Sequence, residues 1–120
     1  MTTVHTSTYK IDAAGRTVGR IASEAAKALM GKMSASYTPH IRSEVKVVIS
    51  NASKVYSREK KRKNTYLSTY SGWHSGLKMK SLADIAAKKG HGEILRRAIH
   101  RMLPRNTMHT PRMKNLSITE

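Results

Sequence analysis

The sequence predicts an α/β fold, and three observations carry that expectation. Tyr9 to Ala13 alternates apolar and polar residues, as a half-buried strand does. Val18, Ile21, Ala22, Ala25 and Leu29 then recur at helical spacing, and Val45 to Ile49 is an almost unbroken β-branched run. Strand, helix and strand in that order imply parallel strands joined by a crossover helix.

Each element can be justified in turn. Residues 1–8 are rich in Ser and Thr and read as a flexible arm, with residues 9–120 forming a single domain. Ala14-Gly15 turns the first strand into the helix, and Gly31 supplies a left-handed residue to end it. Gly19 reads as a glycine needed where that helix packs closely. Away from the apolar stripe, Arg16, Arg20, Ser23 and Lys27 follow one another at helical spacing, so the outer ridge is cationic. Lys32 to Arg42 is an irregular connection, since Pro39 biases Thr38 away from helix. Val45 to Ile49 has the composition of a strand buried on both faces.

From Lys54 the pattern changes. A short extended piece, the block Arg58-Glu59-Lys60-Lys61-Arg62-Lys63 and a second extended piece over Asn64–Ser71 read as a hairpin-like arm with a basic tip. In the second piece Tyr66, Ser68 and Tyr70 share one face and Leu67 and Thr69 the other. Gly72 to Gly76, with Trp73 and His74, is a flexible corner before Leu77-Lys78-Met79-Lys80. Ser81 and Asp84 form a capping-box-like pair that opens a short helix closed by Gly90. A third helix runs from Glu93 to Leu103, with Leu95, Ala98, Ile99 and Met102 inward and Arg96, Arg97, His100 and Arg101 outward. Pro104 ends it, and Leu116 and Ile118 suggest one more strand.

Charge narrows the function. Lys and Arg number 23 against 7 Asp and Glu, giving a net charge of +16. That surplus exceeds what internal pairing could use and implies a polyanionic partner. It is uneven, with eight cations against three acids over residues 1–56 and fifteen against four over 57–120. The chain has no cysteine, no apolar run of membrane-spanning length and no apolar core for a secretion signal near Met1, so we expect a cytoplasmic protein without a membrane partner. With no Phe and one Trp, the core has to be aliphatic and modest.

Enzymatic chemistry is poorly represented. Gly15-Arg16-Thr17-Val18-Gly19-Arg20 has neither the Gly-Lys-Ser/Thr ending of a phosphate loop nor a third glycine for a dinucleotide fingerprint. Asp12 and Asp84 are the only aspartates, and no acidic pair stands at metal-ligand spacing. The six histidines lack zinc spacing, and no nucleophile elbow is present. We therefore expect no enzyme, no cofactor and no small-molecule substrate.

Nucleic-acid contact has the opposite balance. A basic block is ordinarily a solvated loop, but here it accompanies two helices with cationic outer faces and the interleaved Tyr56, Tyr66, Tyr70 and Trp73. Aromatics among cations can stack on unpaired bases, although Tyr66 and Tyr70 can equally serve a sheet core. No RNA-recognition sequence pattern occurs, so phosphate and shape should dominate over base edges. On charge and position, the expected contacts are Lys27, Lys32, Arg58, Lys60, Lys61, Arg62, Lys63, Lys80, Arg96, Arg97, Arg101, Arg112 and Lys114.

Five stretches also resemble a known family. GRTVGRIAS after YKIDA, YTPH at Tyr37–His40, NASKV at Asn51–Val55, SGWHSGLK at Ser71–Lys78 and AIHRMLPRN at Ala98–Asn106 are similar, in this order, to the ribosomal protein L13 family, bacterial type. The resemblance implies a three-layer α/β/α fold around a four-stranded parallel sheet. It also implies a structural role in the large ribosomal subunit, with large-subunit ribosomal RNA and neighbouring large-subunit proteins as partners. Carried onto matching positions, it adds Arg16, Arg20, Tyr37, His40, Lys54, His74, Lys78 and Arg105 as RNA contacts. Arg101 departs from the glycine usual in the family, and the C-terminus is short. A free-standing regulator that binds messenger RNA is the alternative, separable by whether the protein travels with ribosomal subunits.

Overall fold

The computed structural model describes residues 7–120, so most of the expected arm lies outside the described residues. Its final residue, Thr8, already opens strand β1 (Thr8–Asp12). β1 pairs in parallel with β2 (Lys46–Ser50), and β2 pairs in parallel with β5 (Leu116–Ile118). The parallel sheet thus has the order β1-β2-β5, three strands where the resemblance implies four. Beyond those ladders, Thr17 and Tyr56 form an isolated parallel bridge.

Register decides which sheet face is covered. Ile11, Val47 and Ile49 are buried, and Leu116 and Ile118 continue their row across the sheet. On the opposite face Lys10 and Ser117 are exposed and flank the half-buried Val48. Val48 therefore misleads: its β-branched side chain favours a strand without marking a second buried face. Among the described residues, helices cover one face of the sheet, and the second helical layer of a three-layer plan is not seen.

Helix α1 (Val18–Met30) is the centre of the core. It buries Ile21, Ala22, Ala25, Ala26, Ala28 and Leu29, a stripe wide enough to face the sheet and a neighbouring helix together. That neighbour is α4 (His91–Met102), which contributes Leu95 and Ile99. Alanines along α1 let the two helices approach closely. Gly31 ends α1 at φ 83°, and a Cβ there would stand 2.7 Å from Ser43 Cβ, so both conformation and space require glycine.

The expected basic-tipped hairpin is corrected. Lys63 and its neighbours lie in a short helix, α2 (Glu59–Asn64), and the hairpin is instead β3 (Tyr66–Tyr70) with β4 (Leu77–Ser81). Its tip is Ser71–Gly76. Helix α3 (Leu82–Lys89) begins as expected, with Ser81 Oγ accepting from the Asp84 N–H at 3.2 Å. Gly90, at φ 84°, separates α3 from α4, and a Cβ there would lie 2.6 Å from Glu120 Oε1. That carboxylate accepts from the Gly92 N–H at 3.0 Å and tops α4's positive end. Met102 is exposed, and Leu103 takes the buried place expected for it. A further helix, α5 (His109–Lys114), precedes β5 and has no counterpart in the sequence reading.

Candidate nucleic-acid interface

The interface begins with the turn after β1. Residues 13–17 run beside 50–56, held by Ala13 N–H to Ser50 O at 3.0 Å, Gly15 N–H to Lys54 O at 3.0 Å and Tyr56 N–H to Arg16 O at 2.9 Å. This pairing sets the first turn of α1 against Tyr56, Ser57 and Arg58. With α2, β3 and α4, it encloses an open groove of about 690 Å³. The apolar wall comprises Val18, Leu67, Leu82, Ile94, Ala98 and Met102. Arg58, Lys61, Arg97 and Arg101 supply positive charge, Tyr56 stands half-exposed at the edge, and no carboxylate lines the space.

Gly19 also lines the groove, and the expectation of close packing there is overturned. Nothing lies within 4 Å of the position its Cβ would occupy. The glycine leaves space rather than making a contact.

The expected RNA contacts divide by what holds them. Arg16 donates from Nη2 to Glu24 Oε2 and the Tyr9 hydroxyl donates to Glu24 Oε1 at 2.9 Å, a clamp joining β1, its turn and α1. Arg16 is thus outside the helical ridge expected for it. Arg97 pairs with Glu93 at 3.1 Å, and Lys63 pairs with Glu59 at 2.8 Å, each one helical turn away. Arg62 folds back on Ser57, donating to its carbonyl at 3.0 Å. Arg112 is a correction: it is 2% exposed, with one Nη only 4.0 Å from Met108 Sδ and a buried Nε without a partner among the described residues. A sealed guanidinium cannot reach phosphate, so Arg112 is no part of the surface.

Arg20, Lys27, Lys54, Arg58, Lys60, Lys61, Lys78, Lys80, Arg96, Arg101, Arg105 and Lys114 are exposed and make no ion pair among the described residues. Several converge. His100 and His109 meet edge-on with ring centres 4.3 Å apart, and His109 Nε2 donates to the His100 carbonyl at 2.9 Å. Partial desolvation, then His109, Arg105, Arg101 and Arg96, hold the His100 pKa below its ordinary value. The outer face of α4 and the following loop therefore form one cationic field, continuous through Arg101 with the groove. Lys32, Tyr37 and His40 stand apart in the loop following α1, with Lys32 Nζ 5.9 Å from the Tyr37 ring centre.

The β3–β4 hairpin adds a second surface. Register puts Tyr66, Tyr70, Leu77 and Met79 on one face, all exposed, and Lys78 and Lys80 on the other. Trp73 at the tip is 80% exposed, beside His74. Among the described residues no three His, Asp or Glu side chains gather as a metal site, and no helix is long and apolar enough to cross a membrane.

The sequence pattern of the family described as ribosomal protein L13 matches residues 6–120. This chain belongs to the ribosomal protein L13 family. A large ribosomal subunit protein uL13 from Chlamydia abortus is 38% identical over 112 residues, covering 93% of this chain and 74% of its own. Proteins of the same name from Clostridioides difficile and Alcanivorax borkumensis are each 36% identical over 110 residues, 92% of this chain and 76% and 77% of theirs. Within this L13-family chain, Arg101 occupies the groove edge although the resemblance expects glycine there. The groove itself escaped sequence reasoning. Its sole local signal was Gly19, whose meaning depends on the distant partners around it.

Proposed function

We propose that this L13-family chain is a structural constituent of the large ribosomal subunit and binds its ribosomal RNA through the groove and the outer face of α4. It is a ribosomal protein, not an enzyme, and it works in the cytoplasm as part of the ribosome. The observation that carries the RNA-binding surface is the cationic field running from Arg58 and Lys61 through Arg101 to Arg96 and Arg105, five cations that make no ion pair among the described residues. Phosphates brought against it release counterions and lose mutual repulsion, so RNA segments can pack together around the protein. Lys78, Lys80 and His74 add a second cationic surface on the hairpin.

Neighbouring large-subunit proteins belong to the same proposal. The outer edges of β1 and β5 and the Lys10–Val48–Ser117 face leave surface for them. A fourth strand of the implied sheet would sit at one of those edges. Sucrose-gradient fractionation of cells carrying a tagged full chain provides the test, with nearly all the protein expected in large subunits and complete ribosomes. Recovery in the free pool, as for a regulator of messenger RNA, would overturn the reading.

A further inference from the structure

We propose that the groove at Gly19 seats one unpaired nucleotide of the RNA, its base against Leu67, Ile94 and Met102 beside Tyr56, and its phosphate on Arg58, Lys61 and Arg101. This deepens the RNA-binding reading and rests on it. The groove asks for an occupant that is both anionic and apolar-faced. Arg58, Lys61 and Arg101 line it with no carboxylate partner among the described residues, Arg97 being held by Glu93, yet the wall between them is aliphatic. Free phosphate would leave that wall wet, and an uncharged apolar group would leave the cations unpaired. A nucleotide satisfies both requirements, because each base has a flat apolar face and each linkage carries one negative charge. The volume of about 690 Å³ falls within the roughly 300–1,000 Å³ typical of small-ligand sites.

The base must be unpaired. Inside an RNA helix the bases are stacked and paired, so a protein meets mainly sugar hydroxyls and phosphates, and a concave apolar wall gains nothing from them. Gly19 supplies a second, independent observation. Glycine is a poor helix residue, and here neither a positive φ nor a close neighbour requires it. What its missing side chain provides is room in the groove.

That room gives a selective test. In Gly19→Leu the added side chain enters open space, so the protein should fold and melt at or above the wild-type temperature. Fluorescence anisotropy would compare the full chain on a labelled oligouridylate of about eight nucleotides and on an RNA duplex of similar length at fixed salt. Gly19→Leu is expected to weaken single-strand binding about tenfold or more and duplex binding by no more than about twofold. Arg101→Gln should weaken the single strand about fivefold, whereas Lys88→Gln, the same charge loss on α3 outside the groove, should have little effect. Undiminished single-strand binding by Gly19→Leu, or equal losses on both probes, would overturn the proposal.

A benzophenone side chain introduced at Met102 then reports the occupant within purified large subunits. Crosslinking to RNA supports the nucleotide, and crosslinking to a neighbouring protein overturns it. If wild-type protein travels with large subunits but Gly19→Leu keeps its single-strand affinity, the groove assignment fails and the ribosomal reading stands. If wild-type protein never joins the subunit, both fall.

Discussion

Glu24 shows how a single side chain can redirect a cation that the sequence offers to RNA. It accepts from Arg16 and from Tyr9, and these contacts hold its carboxyl below the usual glutamate range, the Arg16 hydrogen bond first, against an opposing effect of burial. A depressed carboxyl stabilises the fold above its unfolded pKa, and that contribution disappears as pH falls through the folded value. Glu24→Gln should therefore destabilise the protein by about 1 kcal/mol at pH 7, a figure kept small because both partners are partly exposed. The difference from wild type should shrink from about pH 4.3 downward. Urea melts at pH 7, 4 and 3 would show it, and parallel pH curves for the two proteins would refute it. Arg112 teaches the complementary point, since nothing in its sequence neighbourhood separates a buried arginine from a solvated one. A buried cation without a carboxylate is costly, and α5 tolerates it without giving it to the surface.

At the scale of elements, legibility followed local information. α1, its Gly31 stop, the Ser81 cap of α3 and the small strand β5 all appear where periodicity and capping chemistry put them. α2 stayed hidden because Glu59–Asn64 has no apolar period, so tertiary context and the Glu59–Lys63 pair decide its conformation. α5 stayed hidden because His109–Lys114 has no apolar period, and its Pro111 stands in the opening turn, where proline is tolerated. The hairpin was legible as extended chain but not in its pairing, since Ser71–Gly76 supplies the reversal through Gly72 at φ 85° and Ser75 at φ 59°. The groove was the least legible element because Thr17 must first meet Tyr56 across a long sequence separation. Of these parts the hairpin carries the sharpest functional prediction. Its Tyr70 and Trp73 are 68% and 80% exposed and cannot matter greatly to folding. Trp73→Ala should shift unfolding free energy by less than about 0.5 kcal/mol. The same change should weaken single-stranded RNA binding about fivefold or more through loss of base stacking. Unaltered affinity in a titration would remove the hairpin from the RNA surface.

For the whole molecule, one quantity has two opposite consequences. A net charge of +16 is spread over a body of 51 × 37 × 19 Å whose core is aliphatic, with alanine prominent and no aromatic residue fully buried. In the free protein these charges repel, and added salt screens them over a Debye length of about 10 Å at 0.1 M. Raising salt from about 50 to 500 mM should therefore raise Tm by several degrees, since about 1 kcal/mol corresponds to roughly 4–8 °C in a domain near this size. In the complex the same cations replace counterions on phosphate, and salt acts the other way. If about eight exposed cations engage phosphates, log affinity should fall against log salt with a slope of about −6, using the single-strand coefficient. Removing Lys61 and Arg101 together should flatten that slope by about 1.4. Salt must therefore stabilise the protein alone while loosening its grip on RNA, and melting scans and binding isotherms in the same buffers measure both signs. A high Tm indifferent to salt, or an affinity indifferent to salt, would mean that the surplus charge is not held in reserve for phosphate.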